Sequence, residues 1–212
     1  MGAPAFENEA LFKEHNIQVF SANFALYGDM SHRVMTILEE YSPEMEIYSI
    51  DEAFLKLKNF ERFDLYEHGK SMRTKILKWT GIPVSVGIAP TKSLAKVANK
   101  IAKKFPEKTG NVYIIDSDEK REKALKWLKV EDVWGIGRQH TKRLLNKGIK
   151  TAYDFIKMDP FWVQKHMAIV GVRLQKDLSG IPILDMETIQ PKKNIATTRT
   201  FEKNYTEFQD LS

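Results

Sequence analysis

Tyr48-Ser49-Ile50-Asp51-Glu52-Ala53-Phe54 (YSIDEAF) sets two adjacent acids inside a mostly apolar run from Glu46 to Leu57. With Ile47, Tyr48, Ile50, Phe54, Leu55 and Leu57, that run reads as extended chain. Paired acids also occur at Glu39-Glu40, Asp118-Glu119 and Glu131-Asp132, so adjacency alone carries no chemistry. The strand context does. Carboxylates buried without partners are costly, so a metal ion or a basic group is expected opposite Asp51 and Glu52. In a regular strand the two would face opposite sides. Both reach one site only if the backbone turns or bulges there, and a hairpin near Asp51 would supply that.

Upstream, residues 1–22 give no clear element. From Asn23 a helical period follows, with Tyr27, Met30, Val34, Ile37, Leu38 and Tyr41 at three- and four-residue steps. Ser42-Pro43 ends it, because proline lacks the donor and restricts its predecessor. Downstream, Asp64 to Trp79 predicts an amphipathic helix stopping near Gly81, and Pro83 to Ile88 a short buried strand. Thr91 or Ser93 is placed to cap a helix running to about Lys104, and Asn111 to Ile115 reads as another strand. Helices alternating with strands imply helices packed on one sheet. After Asp116 the strands cease: Asp118–Trp127, Arg138–Asn146, Thr151–Met158 and Phe161–Leu178 all read as helices. Boundaries are therefore expected near 116 and near Gly180, followed by a tether. Ile195–Phe201 (IATTRTF) reads as an extended segment.

The 212 residues hold 33 Lys and Arg against 28 Asp and Glu, with 42% apolar and 29% charged residues, which argues against disorder. No cysteine is present, so disulfides, thiolate metal sites and cysteine nucleophiles are excluded. Apolar stretches fall far short of the roughly 20 residues of a membrane helix, and no basic-then-apolar signal opens the chain. No membrane partner and a cytoplasmic location are expected. Residues 1–60 contain ten acids and only Lys13, Arg33, Lys56 and Lys58 as bases, so the rest of the chain is basic. Such asymmetry suggests a polyanion held by one part and a carboxylate site in the other; solvated helix faces are the competing reading.

Two further segments could carry chemistry. Between Lys92 and Lys108 there are six lysines and one acid, with Lys92, Lys96 and Lys100 at four-residue steps opposite Leu94, Ala98, Ile101 and Phe105. That stripe reads either as phosphate contact or as a solvated face. In Val133-Trp134-Gly135-Ile136-Gly137-Arg138-Gln139-His140-Thr141-Lys142 a third dinucleotide-fingerprint glycine would fall on His140 with no preceding strand, so that fold is excluded. A tight corner between two helices fits better. Its glycines let backbone amides approach an anion at a helix N-terminus, and Arg138, Lys142, Arg143 and Lys147 surround it. A plain helical corner is the alternative. The five histidines show no ligand spacing, and Trp79, Trp127, Trp134 and Trp162 read as core.

YSIDEAF, SVGIAPTKSLAKVANKIAKK and VWGIGRQHTKRLLNKGIKT, in this order, resemble the Y-family translesion DNA polymerases, and within them the UmuC family, the catalytic subunit of DNA polymerase V. The likeness runs from about Gly2 to Phe201. It implies an α+β fold: a ferredoxin-like polymerase palm followed by a small all-α thumb with a helix-hairpin-helix. The implied division is a fingers tail over 1–22, a partial palm over 23–116, the thumb over 117–180, a tether over 181–193 and the start of a little-finger domain over 194–212. Asp51 and Glu52 would be catalytic and metal-binding carboxylates, serving two Mg²⁺ ions in nucleotidyl transfer. Lys103, or Lys104 in its place, would contact the dNTP triphosphate. Gly135, Gly137, Arg138 and Lys142 would grip the primer–template DNA backbone. A UmuD-type accessory dimer, RecA and a sliding clamp are inherited expectations for the parent protein, with DNA repair in the SOS response as its setting.

The resemblance also carries departures. The family's first metal-binding aspartate and its fingers domain have no counterpart in these residues, so an internal fragment, inactive on its own, is expected. Two carboxylates cannot complete the near-octahedral oxygen shell of Mg²⁺. A non-catalytic helix-hairpin-helix DNA-binding module is the alternative reading. A nucleotidyl cyclase is a weaker third, because a cyclase needs no duplex-gripping corner.

Overall fold

A computed structural model describes residues 4–60, 62–187 and 194–198. A 3₁₀ turn (Ala5–Asn8) leads into α1 (Glu9–Glu14) and then α2 (Phe24–Glu39), so the first 22 residues contain helix that their weak periodicity did not announce. The strands β1 (Met45–Ser49) and β2 (Glu52–Leu55) form an antiparallel hairpin, followed by α3 (Leu65–Thr80). Next come β3 (Val86–Ile88), α4 (Lys92–Lys104), the short α5 (Pro106–Thr109) and β4 (Val112–Ile114). β3 and β4 pair in parallel, joined by the α4 crossover. The helical half comprises α6 (Asp118–Trp127), a 3₁₀ turn (Val130–Asp132), α7 (Arg138–Asn146), α8 (Ala152–Ile156) and α9 (Pro160–Leu178).

Local chemistry sets most of these limits. Asn23, Asp64, Thr91, Ser117 and Asp159 each accept a first-turn N–H at the start of α2, α3, α4, α6 and α9. Thr151 and Asp154 form a reciprocal capping box at α8. Gly81 ends α3 in the left-handed region at φ 73°. The segment Ile195–Thr198 has no regular structure, and the rest of the extended segment expected there lies outside the described residues.

The expected single sheet is not what forms. Among the described residues the strands make two separate two-stranded ladders, β1–β2 and β3–β4. They share a helical floor rather than hydrogen bonds: Met35, Ile37 and Leu38 of α2 and Met72 and Ile76 of α3 form a buried cluster. Onto it pack Met45, Ala53 and Leu55 of the hairpin and Val86 of β3. The larger core runs across residue 116 without a break. It joins Leu94, Val97, Ala98 and Ile101 of α4 to Leu125, Val130, Leu144, Phe155, Val163, Leu174 and Leu178.

Two features hold α4 in place. At Gly87 of β3 the helix backbone comes so near that a Cβ would lie 2.1 Å from Asn99 N and 2.3 Å from Ala95 O. At its N-terminus, the fully buried Asp177 of α9 accepts from Ser93 N–H at 2.7 Å, while Thr91 Oγ donates to the Asp177 carbonyl at 2.7 Å. The helical half is thereby capped onto the strand half.

None of the four tryptophans is buried, contrary to expectation. Trp79 and Trp127 are exposed; Trp134 and Trp162 are half-buried. Lysines cover part of these rings, since their stems and ammonium groups favour aromatic faces: Lys75 lies 4.7 Å from the Trp79 ring centre and Lys147 5.2 Å from that of Trp162. α9 is interrupted at Ala168 (φ 55°, ψ −166°). Just before the break, His166 stacks 4.3 Å from Trp162, and its carbonyl accepts from Arg143 of α7 at 2.7 Å.

Gly87→Ala costs about 1–3 kcal/mol or more, because backbone rather than a mobile side chain must give way. Gly28→Ala, in α2 with nothing within 4 Å, gains roughly 0.5–1 kcal/mol from helix propensity. Urea unfolding of the two variants beside the parent checks both signs.

The His166 imidazole titrates below the usual histidine value, chiefly through desolvation and then through Arg143, Lys165 and Lys147. Its neutral form is the one the fold favours, so its contribution is present above the unfolded pKa and lost as pH falls through the folded one. His166→Gln is expected to narrow the drop in Tm between about pH 7.5 and about pH 5, measured by thermal unfolding in parallel with the parent.

Candidate active site and nucleic-acid interface

The hairpin pairs Met45 with Leu55, Glu46 with Phe54, Ile47 with Ala53 and Ser49 with Glu52, with a register shift between Ile47 and Ser49. Ile50 and Asp51 are therefore the turn, and Tyr48 is the bulged residue. The turn and bulge required for both acids to approach one site are present. Period-two alternation puts Met45, Ala53 and Leu55 on the face packed against α2 and α3. The opposite face presents Glu46, Tyr48, Glu52 and Phe54. Asp51 is exposed at the tip, and its Oδ1 accepts from Ser49 Oγ at 2.6 Å.

Opposite Glu46 and Glu52 stand basic groups. Lys92 Nζ donates to both Glu46 oxygens at 2.8 and 2.7 Å, and Lys96 Nζ donates to Glu52 at 2.7 Å. Lys100 pairs with Asp132 at 2.7 Å. The lysine stripe of α4 is thus neither a solvated face nor an open phosphate track; each of its three members meets an acid. Glu46 is further held by the Glu187 N–H at 2.7 Å, while Lys92 donates to the Asp185 carbonyl at 3.2 Å. Asp185 and Glu187 are thereby held against the hairpin and α4. Lys56, just past β2, has its pKa raised, first by its hydrogen bond to Glu44 and then by the charges of Glu44 and Asp185.

Around Lys96 three rings close in. Its Nζ lies 4.4 Å from the centre of Tyr48, and 5.5 Å from those of Phe54 and Trp134. Trp134 Nε1 donates to Tyr48 Oη at 2.9 Å. The acidic turn, the lysine helix and the glycine corner therefore meet at one point. Sequence reading missed both Lys96 and Trp134 as site residues. Lys96 was hidden within a periodic stripe, and only an aromatic directly before a Gly-x-Gly corner hinted at Trp134.

At the corner, Ile136 is buried and Gly135 takes φ 88°, while Gly137 opens α7 without a side-chain cap. Its first-turn N–H groups are left to an outside acceptor. The preceding element is the 3₁₀ turn Val130–Asp132 rather than a full helix. Exposed Arg138 and Lys142 border a shallow groove with Glu131, Thr141 and Asn146. Lys103 and Lys104 are exposed at the other end of α4, about 10 Å along the helix from Lys96. Among the described residues, no recorded contact brings them to the acidic turn.

The residues present do not fit a complete Mg²⁺ site. No group of three or more His, Cys, Asp or Glu is placed to hold a metal among the described residues. Of the two acids, Asp51 is engaged by Ser49 and Glu52 by an ammonium group. Nor is any helix among the described residues long and apolar enough to cross a membrane.

Residues 1–100 match the model of the impB/mucB/samB family. The chain is 41% identical to "Protein UmuC" of Salmonella typhimurium over 99% of its own length and 50% of that protein's. It is 30% identical to "DNA polymerase IV 1" of Halalkalibacterium halodurans, over 93% of this chain and 47% of the other. A solved insertion ternary complex of Dbh DNA polymerase matches with TM-score 0.67 at 23% identity, covering 84% of this chain and 51% of that one, a likeness of fold. The chain spans about half the length of the curated relatives it matches.

Proposed function

We propose, on the premise that residues 1–100 belong to the impB/mucB/samB family, that this chain is part of an error-prone Y-family DNA polymerase performing template-directed nucleotidyl transfer past damage. The observation that supports the reading is the meeting of three segments at Lys96: the acidic turn, α4 and the glycine corner, the first and last tied by the Trp134–Tyr48 hydrogen bond between residues 86 apart. In this reading residues 23–116 are the palm and 117–180 the thumb with its helix-hairpin-helix. Residues 1–22 are a fingers tail, 181–193 a tether and 194–212 the start of a little finger. Asp51 and Glu52 contribute acids to the transfer site, and Lys103 or Lys104 faces the triphosphate of the incoming dNTP. Any UmuD-type dimer, RecA filament, sliding clamp or bound Mg²⁺ belongs to the longer protein.

The corner's role is the more directly testable. Gly135 and Gly137 bring uncapped amides to the surface, and Arg138 and Lys142 add charge beside them, which suits a phosphate without reading bases. Binding of this chain to a primer–template duplex is expected to weaken linearly on a log–log salt plot. Arg138→Ala with Lys142→Ala should reduce that slope by about two and weaken all sequences alike. An unchanged slope would remove the corner from the DNA interface.

In the longer polymerase, Asp51→Ala is expected to abolish nucleotide addition while leaving duplex affinity nearly intact, measured by primer extension and by titration. The incomplete acid set favours a second reading for this chain alone, a non-catalytic DNA-binding module. Primer extension by the 212 residues alone would refute it.

A further inference from the structure

Lys96 stands where strand, helix and corner converge. Its ammonium group is enclosed by Tyr48, Phe54 and Trp134 and donates to Glu52 at 2.7 Å. The three rings also touch one another. Tyr48 and Phe54 have centres 5.7 Å apart, Tyr48 and Trp134 5.5 Å, and Phe54 and Trp134 5.9 Å. Such a cage gives a cation a desolvated seat and leaves it few alternative positions. The acid it holds is consequently fixed as well. Lys100, one turn further along α4, makes a more exposed pair with Asp132, and among the described residues no aromatic ring lies over it.

Trp134 adds the second half of the device. Its indole N–H is spent on Tyr48 Oη at 2.9 Å, and it immediately precedes Gly135. Any shift of the corner must therefore either break that hydrogen bond or move Tyr48, which forms one wall of the seat of Lys96. Tyr48 is itself the bulged residue of β1, a position where a strand is free to bend.

We propose that Lys96 is a positioning residue that sets the Glu52 carboxylate, and that the Trp134–Tyr48 hydrogen bond ties that setting to the corner at Gly135–Gly137. This rests on the reading of the corner as a duplex grip. Duplex DNA bound at Arg138 and Lys142 is then sensed at Glu52, a residue it does not touch. The acidic turn is adjusted by the occupancy of the corner.

Two resonances report the linkage in this chain: the indole N–H of Trp134, identified by its loss in Trp134→Phe, and the carboxyl carbon of Glu52, identified by its loss in Glu52→Gln. Without DNA, Tyr48→Phe and Lys96→Met are each expected to move the Trp134 signal, whereas Lys100→Met, the same change in charge, leaves it in place. Methionine keeps the cage filled, so Lys96→Met is expected to fold. On titration with a primer–template duplex, both signals move in the parent. In Lys96→Met the Trp134 signal still moves and the Glu52 response is lost, and Lys96→Arg restores it. An undiminished Glu52 response in Lys96→Met, or a Trp134 signal indifferent to Tyr48→Phe, overturns the proposal. If duplex moves neither signal in the parent, the duplex-grip reading falls instead, and the DNA-free comparison alone decides whether the cage exists.

Discussion

Between α4 and β3 there is no room for a side chain. A Cβ at Gly87 would sit 2.1 Å from a backbone nitrogen of the helix, a distance no repacking of side chains relieves. That contact fixes the depth of α4 on the β3–β4 pair, and the rest of the molecule is hung from the helix so placed. Leu94, Val97, Ala98 and Ile101 are directed into the core shared with the helical half. Asp177 closes the N-terminus from across the interface, satisfying an N–H the helix cannot satisfy itself and setting a carboxylate at the positive end of its dipole. A shallower helix would loosen all of these together.

With α4 fixed, the charges sort themselves. Lys92 and Glu46 are the deeply buried pair, at 11% and 7% side-chain exposure, whereas Lys100 and Asp132 remain 41% and 42% exposed. The exposed pair contributes little to stability. The buried one is valuable mainly because losing either partner would strand the other charge, and because Glu46 also receives the Glu187 N–H, which holds that residue against the hairpin. Lys96 lies between these extremes in burial. Its distinctive environment is aromatic, which makes it a position-setting group more than a stabilising one.

How much of this was legible in the sequence depended on whether the determining contact was local. α6 and α7 match the expected spans Asp118–Trp127 and Arg138–Asn146, because the signals are local: the Ser117 cap for α6, and for α7 the start at Gly137 and the apolar period that follows. The turn at Ile50–Asp51 was legible because two acids in an apolar run have few other solutions. The separation into two ladders was not, since strand partners are chosen by long-range contacts that strand composition does not encode. Neither was the fate of the lysine stripe. A four-residue repeat shows that Lys92, Lys96 and Lys100 share a face of α4, but not that Glu46, Glu52 and Asp132 would be waiting there. Trp134 was misread for the same reason: its partner, Tyr48, is 86 residues away.

That pairing changes where a polyanion can be held. Six lysines between Lys92 and Lys108 invite the idea of a phosphate track along α4 and beyond it, yet three of them are committed to the chain's own acids. Duplex binding there would have to release those pairs before gaining any counterion entropy. Cationic groups without an ion pair among the described residues include Lys103 and Lys104 at the end of α4, and Arg138 and Lys142 beside uncapped amides at α7. The acidic first sixty residues and the basic remainder are therefore partly consumed against each other, strand half to α4.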